Sequence, residues 1–293
     1  MRLKLSFLFF LFIASLGFAT GAFYFHTTHQ RKPAANSIAS APKFLEYINQ
    51  GSFPLLSTPT PSPTPTPYPP PGWHCTTLPI LMYHHIEPES SAKDKGQTAL
   101  TVDPKFFQEQ MDYLTEKKYT TMYLSQLADY FDTGTPLPHK PIILSFDDGY
   151  DDFYQYALPV LQAHSFKSEA FIPTGLLENA GYMSWSQIIA ASKTGVDIAH
   201  HTWSHANVAR SSTASFAQEI DLPITQFASH GFTPMNIFAY PYGTHNSVIE
   251  NYLASKGFRI AVTTLPGQTQ CKEDRLALHR TRIGNAPLSS YGI

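Results

Sequence analysis

The chain has 293 residues, a formal net charge of −2 with histidines neutral, and 43% apolar and 14% aromatic residues. Its N-terminal quarter does not read as a folded domain, so the remainder is sized for one compact unit with a full core. No run of Lys or Arg is long enough to track a phosphate backbone, which excludes nucleic acid as a partner.

In chain order, residues 1–4 form a short basic tail with Arg2 and Lys4, and residues 5–25 form an apolar stretch from Leu5 to Phe25. That length fits an uncleaved anchor, which needs about 20 apolar residues, while Ala19, Gly21 and Ala22 leave a cleaved secretory signal open. In either case the rest of the chain is expected outside the membrane, anchored at the cell surface or secreted. Residues 26–71 read as a linker whose Pro54-to-Pro71 run, PLLSTPTPSPTPTPYPPP, cannot bury a core. Such a run favours an extended spacer of about 3.1 Å per residue, a reach suited to a wall polymer. The folded domain is assigned to residues 72–293. Its two cysteines, Cys75 and Cys271, stand at opposite edges. Export permits a disulfide between them, worth roughly 4 to 5 kcal/mol for so long a loop, with two free thiols as the alternative.

The domain opens with LPILMYHHI, an apolar run that predicts a buried strand of the parallel type. Further strands are predicted at Pro141 to Phe146, Glu169 to Pro173, Val196 to Ala199, Ile237 to Tyr240 and Arg259 to Thr263. Helical spacing lies between them, at Phe106 to Leu114, Tyr156 to Ala163, Trp185 to Ala191 and Val248 to Leu253. Strand alternating with helix predicts an α/β fold with a mostly parallel, closed or nearly closed sheet, and functional residues at the strands' carboxyl ends.

Two motifs stand at such ends. SFDDGY, residues 145–150, sets Asp147 and Asp148 directly after an apolar strand and before Gly149. Adjacent carboxylates on an extended chain point opposite ways, so they can serve two roles only if the backbone turns, and Gly149 permits a turn. HHTWSH, residues 200–205, places His201 and His205 four positions apart. Two imidazoles and a carboxylate form a ligand set that leaves coordination positions open for water and substrate. Taken singly, each motif is also ordinary turn or surface chemistry.

SFDDG, HTWSH and the later Tyr240-Pro241-Tyr242-Gly243 resemble, in order, the motifs of the polysaccharide deacetylases, carbohydrate esterases with the NodB-homology fold. LMYHHI resembles the opening strand of the branch that includes exported poly-N-acetylglucosamine deacetylases. The resemblance covers roughly residues 78 to 283 and implies a distorted, incomplete (β/α) barrel. It further implies a divalent metal, zinc by preference with cobalt, nickel or manganese as alternatives, held by Asp148, His201 and His205. Asp147 would be the base and the Tyr242 backbone N–H an oxyanion donor, acting on an acetylated polysaccharide. By the same resemblance Leu278 and His279 match a late motif, with His279 a general acid or a structural histidine and Leu276 or Leu278 lining an acetyl pocket. Trp185 would border the groove or pack in the core. His84 and His85 are assigned to positioning or packing, His200 is out of step with the ligand pair, and Asp151 and Asp152 are expected to start a helix. One departure is Ala239, where many relatives carry an Arg that orients the base; Arg280 or Arg282 is expected to approach Asp147 instead, with an exposed surface role for both as the alternative. The leading function is acetamide hydrolysis on N-acetylglucosamine units by a monomer. An O-acetyl esterase and a glycan-binding wall protein that keeps the fold without turnover are the alternatives.

Overall fold

The computed structural model describes residues 74–293, which lie within one compact unit. The tail, apolar segment and linker assigned to residues 1–71 lie outside the described residues. Twelve strands and seven α-helices follow one another: β1 (Cys75–Thr77), β2 (Ile80–Tyr83), β3 (His85–Ile86), α1 (Glu89–Lys95), β4 (Thr101–Val102), α2 (Pro104–Glu116), β5 (Thr120–Thr121), α3 (Leu124–Thr133), β6 (Pro141–Phe146), α4 (Leu158–Ala163), β7 (Ser168–Ile172), α5 (Trp185–Ser192), β8 (Val196–His200), α6 (Leu222–Ser229), β9 (Ile237–Ala239), α7 (Ser247–Ser255), β10 (Ile260–Val262), β11 (Thr269–Cys271) and β12 (Thr281–Arg282).

One sheet in the order β10-β9-β8-β7-β6-β2-β12, with β5 beside β6, carries the fold, and every pairing in it is parallel. The sheet curls into an incomplete barrel. Its two ends are bridged by one segment: Leu278 pairs with Val262 of β10, and Thr281–Arg282 pair with Leu81–Met82 of β2. Arg280 sits in the middle of that seam.

Burial explains the strands. β6, PIILSF, and β7, SEAFI, are covered on both faces, as central parallel strands must be, so their sequences read as continuous runs rather than alternating ones. The alternate residues divide into two cores. Leu81, Tyr83, Ile142, Leu144, Ile172 and Phe238 face the helices, while Ile80, Ile143, Phe171, Ala199, Ala239, Val262 and Leu278 fill the barrel interior. Continuing each inward row by two residues leads from Ile143 to Ser145 and Asp147, from Ala199 to His201, and from Leu278 to Arg280. The interior therefore delivers its polar residues to the carboxyl end.

The helices begin at local signals. Asp103 accepts from the Lys105 N–H at 3.0 Å with Pro104 in the first turn, Ser184 and Gln187 cap α5 reciprocally, and Asn246 accepts from Val248 and Ile249. Asp151 and Asp152 do begin a helical turn, which runs through a π-helical stretch at Phe153–Ala157 into α4. Cys75 and Cys271, opposite one another in the antiparallel β1–β11 pair, form a disulfide.

At the opposite end of the barrel from the site, Glu169 is fully buried at the start of β7. One carboxylate oxygen accepts from the Leu124 N–H at 2.6 Å and the other has no hydrogen-bond partner among the described residues. Burial pushes its carboxyl well above the ordinary range, and Asp197 pushes it further in the same direction. Because the folded-state pKa is raised, the unfolded chain releases this proton first as pH rises. Stability is therefore full below the ordinary glutamate pKa and declines as pH climbs towards the raised value. Glu169→Gln should raise stability at neutral pH by on the order of 1 kcal/mol and flatten that decline, as measured by urea unfolding at pH 5 and pH 8.

Candidate active site

Asp147 and Asp148 follow β6 without a break, yet their side chains part. Asp148 has φ of 75° and Gly149 φ of 69°, so two successive left-handed residues turn the chain sharply. Asp147 keeps the inward direction of Ser145. Asp148 swings towards β8. Left-handed backbone recurs around the site at Thr202 (φ 67°), His205 (φ 60°) and Tyr242 (φ 62°), positions where a side chain adopts it at a cost.

Asp148 meets both histidines of the second motif. Its Oδ1 lies 3.2 Å from His201 Nε2 and 3.1 Å from His205 Nε2. The ligand atoms of these three residues all fall within 4.8 Å of one another. His201 Nδ1 donates to the Ala239 carbonyl at 2.8 Å, so Nε2 is the nitrogen turned to the carboxylate, a donor to it when protonated and a lone-pair ligand when a cation takes the proton's place. This donor set fits a divalent cation of the zinc type. Burial alone would raise the Asp148 carboxyl, but hydrogen bonds from His201 and His205 outweigh it and hold the group well below the usual range. His205, which burial would lower, is raised by the same contact.

Asp147 has a different partner. Arg280, fully buried, grips it with both terminal nitrogens, Nη1 to Oδ1 at 2.7 Å and Nη2 to Oδ2 at 2.6 Å. Its Nε donates to the Thr263 carbonyl at 2.8 Å, Nη1 also reaches Ser145 Oγ at 3.1 Å, and the guanidinium lies over the Phe171 ring. Burial pushes the Asp147 carboxyl up, yet the charge and hydrogen bonds of Arg280 prevail and it is lowered. Of the two arginines expected near Asp147 it is Arg280 that reaches it, and among the described residues no hydrogen bond or ion pair joins Arg282 to it.

The HTWSH loop is fixed from behind. Glu219, buried on the π-helical turn Ala217–Asp221 before α6, accepts from the N–H groups of Trp203 and Ser204 and from Ser204 Oγ. His200 is structural, its ring bonded to the Ile220 carbonyl and the Thr202 N–H, and burial drives its pKa down to about 3. Tyr242 stands at the rim, 63% exposed, its ring centroid 4.8 Å from that of His205.

Three residues singled out from sequence sit elsewhere. His279 points to the opposite side of the seam from Arg280, against Gly267, and lines a surface cleft with His245 and Leu265. Leu278 is fully buried in the inner core beneath Arg280 rather than at an open pocket. Trp185 stacks on His230 at 3.8 Å and meets Phe227 edge-on, as part of the outer packing. The aromatic rings beside Asp148 are instead Tyr150, stacked on His85 at 3.6 Å, and Tyr182, 5.3 Å from Tyr150. His84 also belongs here: burial lowers its pKa most, and it feels the charges of Asp147, Asp148 and Arg280. A second cluster, His85, Glu87 and Asp152, is closed on itself. Asp152 binds His85 Nδ1 at 2.6 Å and the Ile86 N–H at 3.0 Å, and Glu87 takes Ser91, Lys95 and Gln97.

With this geometry in view, comparison with known proteins is specific. Residues 134–261 match the family model described as polysaccharide deacetylase. Over that span the chain resembles the polysaccharide deacetylases. The matched span runs from before β6 into β10, so His84 and Arg280 lie outside it. The chain is similar to YxkH of Bacillus subtilis, named as a polysaccharide deacetylase, at 27% identity over 70% of this chain and 71% of that one. It is 24% identical to the poly-beta-1,6-N-acetyl-D-glucosamine N-deacetylase of Escherichia coli over 73% of this chain, but spans only 38% of that longer protein. Among solved structures, the Streptococcus pyogenes deacetylase PplD in complex with acetate superposes with a TM-score of 0.67 at 24% identity, covering 72% of this chain and 93% of that one. IcaB from Ammonifex degensii gives 0.62 at 22% identity, over 74% and 94%. These likenesses establish the fold.

The loop that carries His201 and His205 depends on one close approach. A Cβ on Gly175 would stand 2.5 Å from the Trp203 ring and 2.7 Å from its carbonyl oxygen, which accepts the Gly175 N–H. Gly175→Ala should displace the loop and lower the affinity for a divalent metal about tenfold or more, read by titration against a chromophoric chelator, with a smaller loss of thermal stability.

Proposed function

We propose that this domain hydrolyses the acetamide of N-acetylglucosamine units in an acetylated polysaccharide, with Asp148, His201 and His205 holding a divalent metal and Asp147 acting as base. The observation that carries this reading is the division of two adjacent carboxylates, one joined to two imidazoles and the other clamped by Arg280. A cation bound there would polarise the acetyl carbonyl and acidify water, and zinc best suits two imidazoles and a carboxylate, although cobalt, nickel or manganese takes the same donors.

The remaining steps belong to the chain. Asp147, kept ionised by Arg280, accepts a proton from the attacking water. The Tyr242 N–H, in its left-handed turn beside His205, is the donor assigned to the oxyanion. The proton that Asp147 takes from water passes to the leaving amine, since His279 faces away. Acetate and a free amine on the sugar are the products. The site is assigned outside the membrane, with residues 5–25 as anchor or signal and residues 26–71 as spacer.

Acetate release by the full chain from chito-oligosaccharides and peptidoglycan, with and without chelator, tests this directly. Release should be lost with chelator and return with added zinc, and a rate indifferent to chelator rejects the metal assignment. Asp147→Asn should cut turnover by about a thousandfold while bound metal stays near wild type, whereas His205→Ala loses both. Near-normal turnover of Asp147→Asn on every substrate that the wild type cleaves would remove it as base. Arg280 lowers the Asp147 carboxyl, so Arg280→Lys, with a weaker and single-pronged contact, should move the acidic limb of the kcat/KM profile to higher pH. An unmoved limb would show that Asp147 does not govern it.

A further inference from the structure

The segment that closes the barrel also builds a groove on its outer flank. From Arg275 to Arg280 it runs alongside β10, bonding in turn to Ala261, Thr263 and Leu265. Between this segment and α7 lie two joined lobes. One, of about 290 Å³, is lined by His245, Glu250, Asn251, Lys272, Arg275 and their neighbours. The other, of about 400 Å³, is lined by His245, Leu265, Asp274, Ala277 and His279. His245, Asp274 and Ala277 border both, so the lobes form one continuous groove.

The second lobe reaches the carboxyl end of β10, where the candidate active site lies. Thr264, beside Leu265, donates to the Tyr242 carbonyl, and the Tyr242 ring in turn meets His205. A path across the surface thus leads from the paired histidines over Tyr242 into the groove. We infer that the groove is a subsite for sugar residues of the same polysaccharide chain, beyond the unit whose acetyl group reacts; this rests on the function proposed above.

The lining suits an uncharged, hydroxyl-rich ring. Leu265, 47% exposed, offers an apolar surface to a pyranose C–H face. His245 is oriented by Glu250, whose Oε1 lies 2.6 Å from Nδ1, so Nε2 is the nitrogen left to face a hydroxyl. His279 is held by Gln270 through both its backbone N–H and its carbonyl. Lys272 and Arg275 interleave with Glu250, Glu273 and Asp274, so no field of one sign selects an ion. A few placed polar groups on a partly apolar, pre-formed surface are what recognition of such a ligand requires. The groove also gives a use to His279, which faces the outer cleft rather than the Arg280 side of the seam.

Binding energy gained away from the reacting unit appears only with substrates long enough to reach it. The test is steady-state acetate release by the full chain from N-acetylglucosamine oligomers of two to six units. Ala277→Trp fills the groove at the junction of its lobes, and Leu265→Ser removes the apolar contact from an exposed position that the fold does not need. Both variants should lose about tenfold in kcat/KM on the hexamer, through KM, and match wild type on the dimer. Loss by the same factor at every length, or at none, overturns the subsite while leaving the proposed reaction intact. If wild type itself releases no acetate from any length, the reaction and the subsite fall together.

Discussion

The structure turns on a backbone event at the end of β6. Two neighbouring carboxylates would repel if they shared one environment, and an extended chain would throw one of them out of the barrel. The left-handed conformations of Asp148 and Gly149 avoid both outcomes. Asp147 stays on the inward row above Ser145, and Asp148 turns aside to the imidazoles of the loop after β8. One residue of separation in sequence becomes a separation of chemical roles, each with its own counter-charge.

The partner of Asp147 shows how the barrel and the site depend on each other. A buried carboxylate is expensive unless paired and hydrogen-bonded, and a two-pronged arginine satisfies both oxygens at once. Arg280 can do so because the segment from Leu278 to Arg282 bridges the two ends of the sheet, with one flank on Val262 and the other on β2. The residue that closes the fold is the residue that keeps the candidate base ionised. The same bidentate grip lowers the basicity of Asp147, so charge is secured at some loss of proton affinity.

Much of this was legible in the sequence. The five strands β6 to β10 appear within a residue or two of their expected limits, because strands buried on both faces leave unbroken apolar runs. SFDDG and HTWSH were legible for another reason: each follows such a strand, and parallel strands collect their carboxyl ends on one face. An arginine replacing the one absent at Ala239 was foreseeable, but choosing Arg280 over Arg282 needed the inward and outward alternation of the seam. RLALHRTRI carries no pattern that sets this register, which long-range pairing with β2 and β10 decides. The same register decides which side of the seam His279 and Leu278 face, so their roles stayed open in the sequence. Trp185 was ambiguous because a large aromatic serves a groove or a core equally well, and its contact with His230 comes from a helix distant in sequence. Glu219 left no signal at all, since an isolated acid before a helix gives no hint that it holds a loop. By contrast α3 spaces Leu124, Leu127, Ala128 and Phe131 as a helix does, so its pattern was present to be read.

The central claim is that one divalent ion binds Asp148, His201 and His205 while Asp147 remains off the metal on Arg280. Anomalous diffraction at the zinc edge from crystals grown with zinc measures this most directly. The account predicts a single strong peak bonded to the Asp148 carboxylate and the Nε2 atoms of both histidines, with Asp147 still clamped by the guanidinium. A peak ligated by Asp147, a peak at His85, Glu87 and Asp152 in its place, or no peak at all would contradict it.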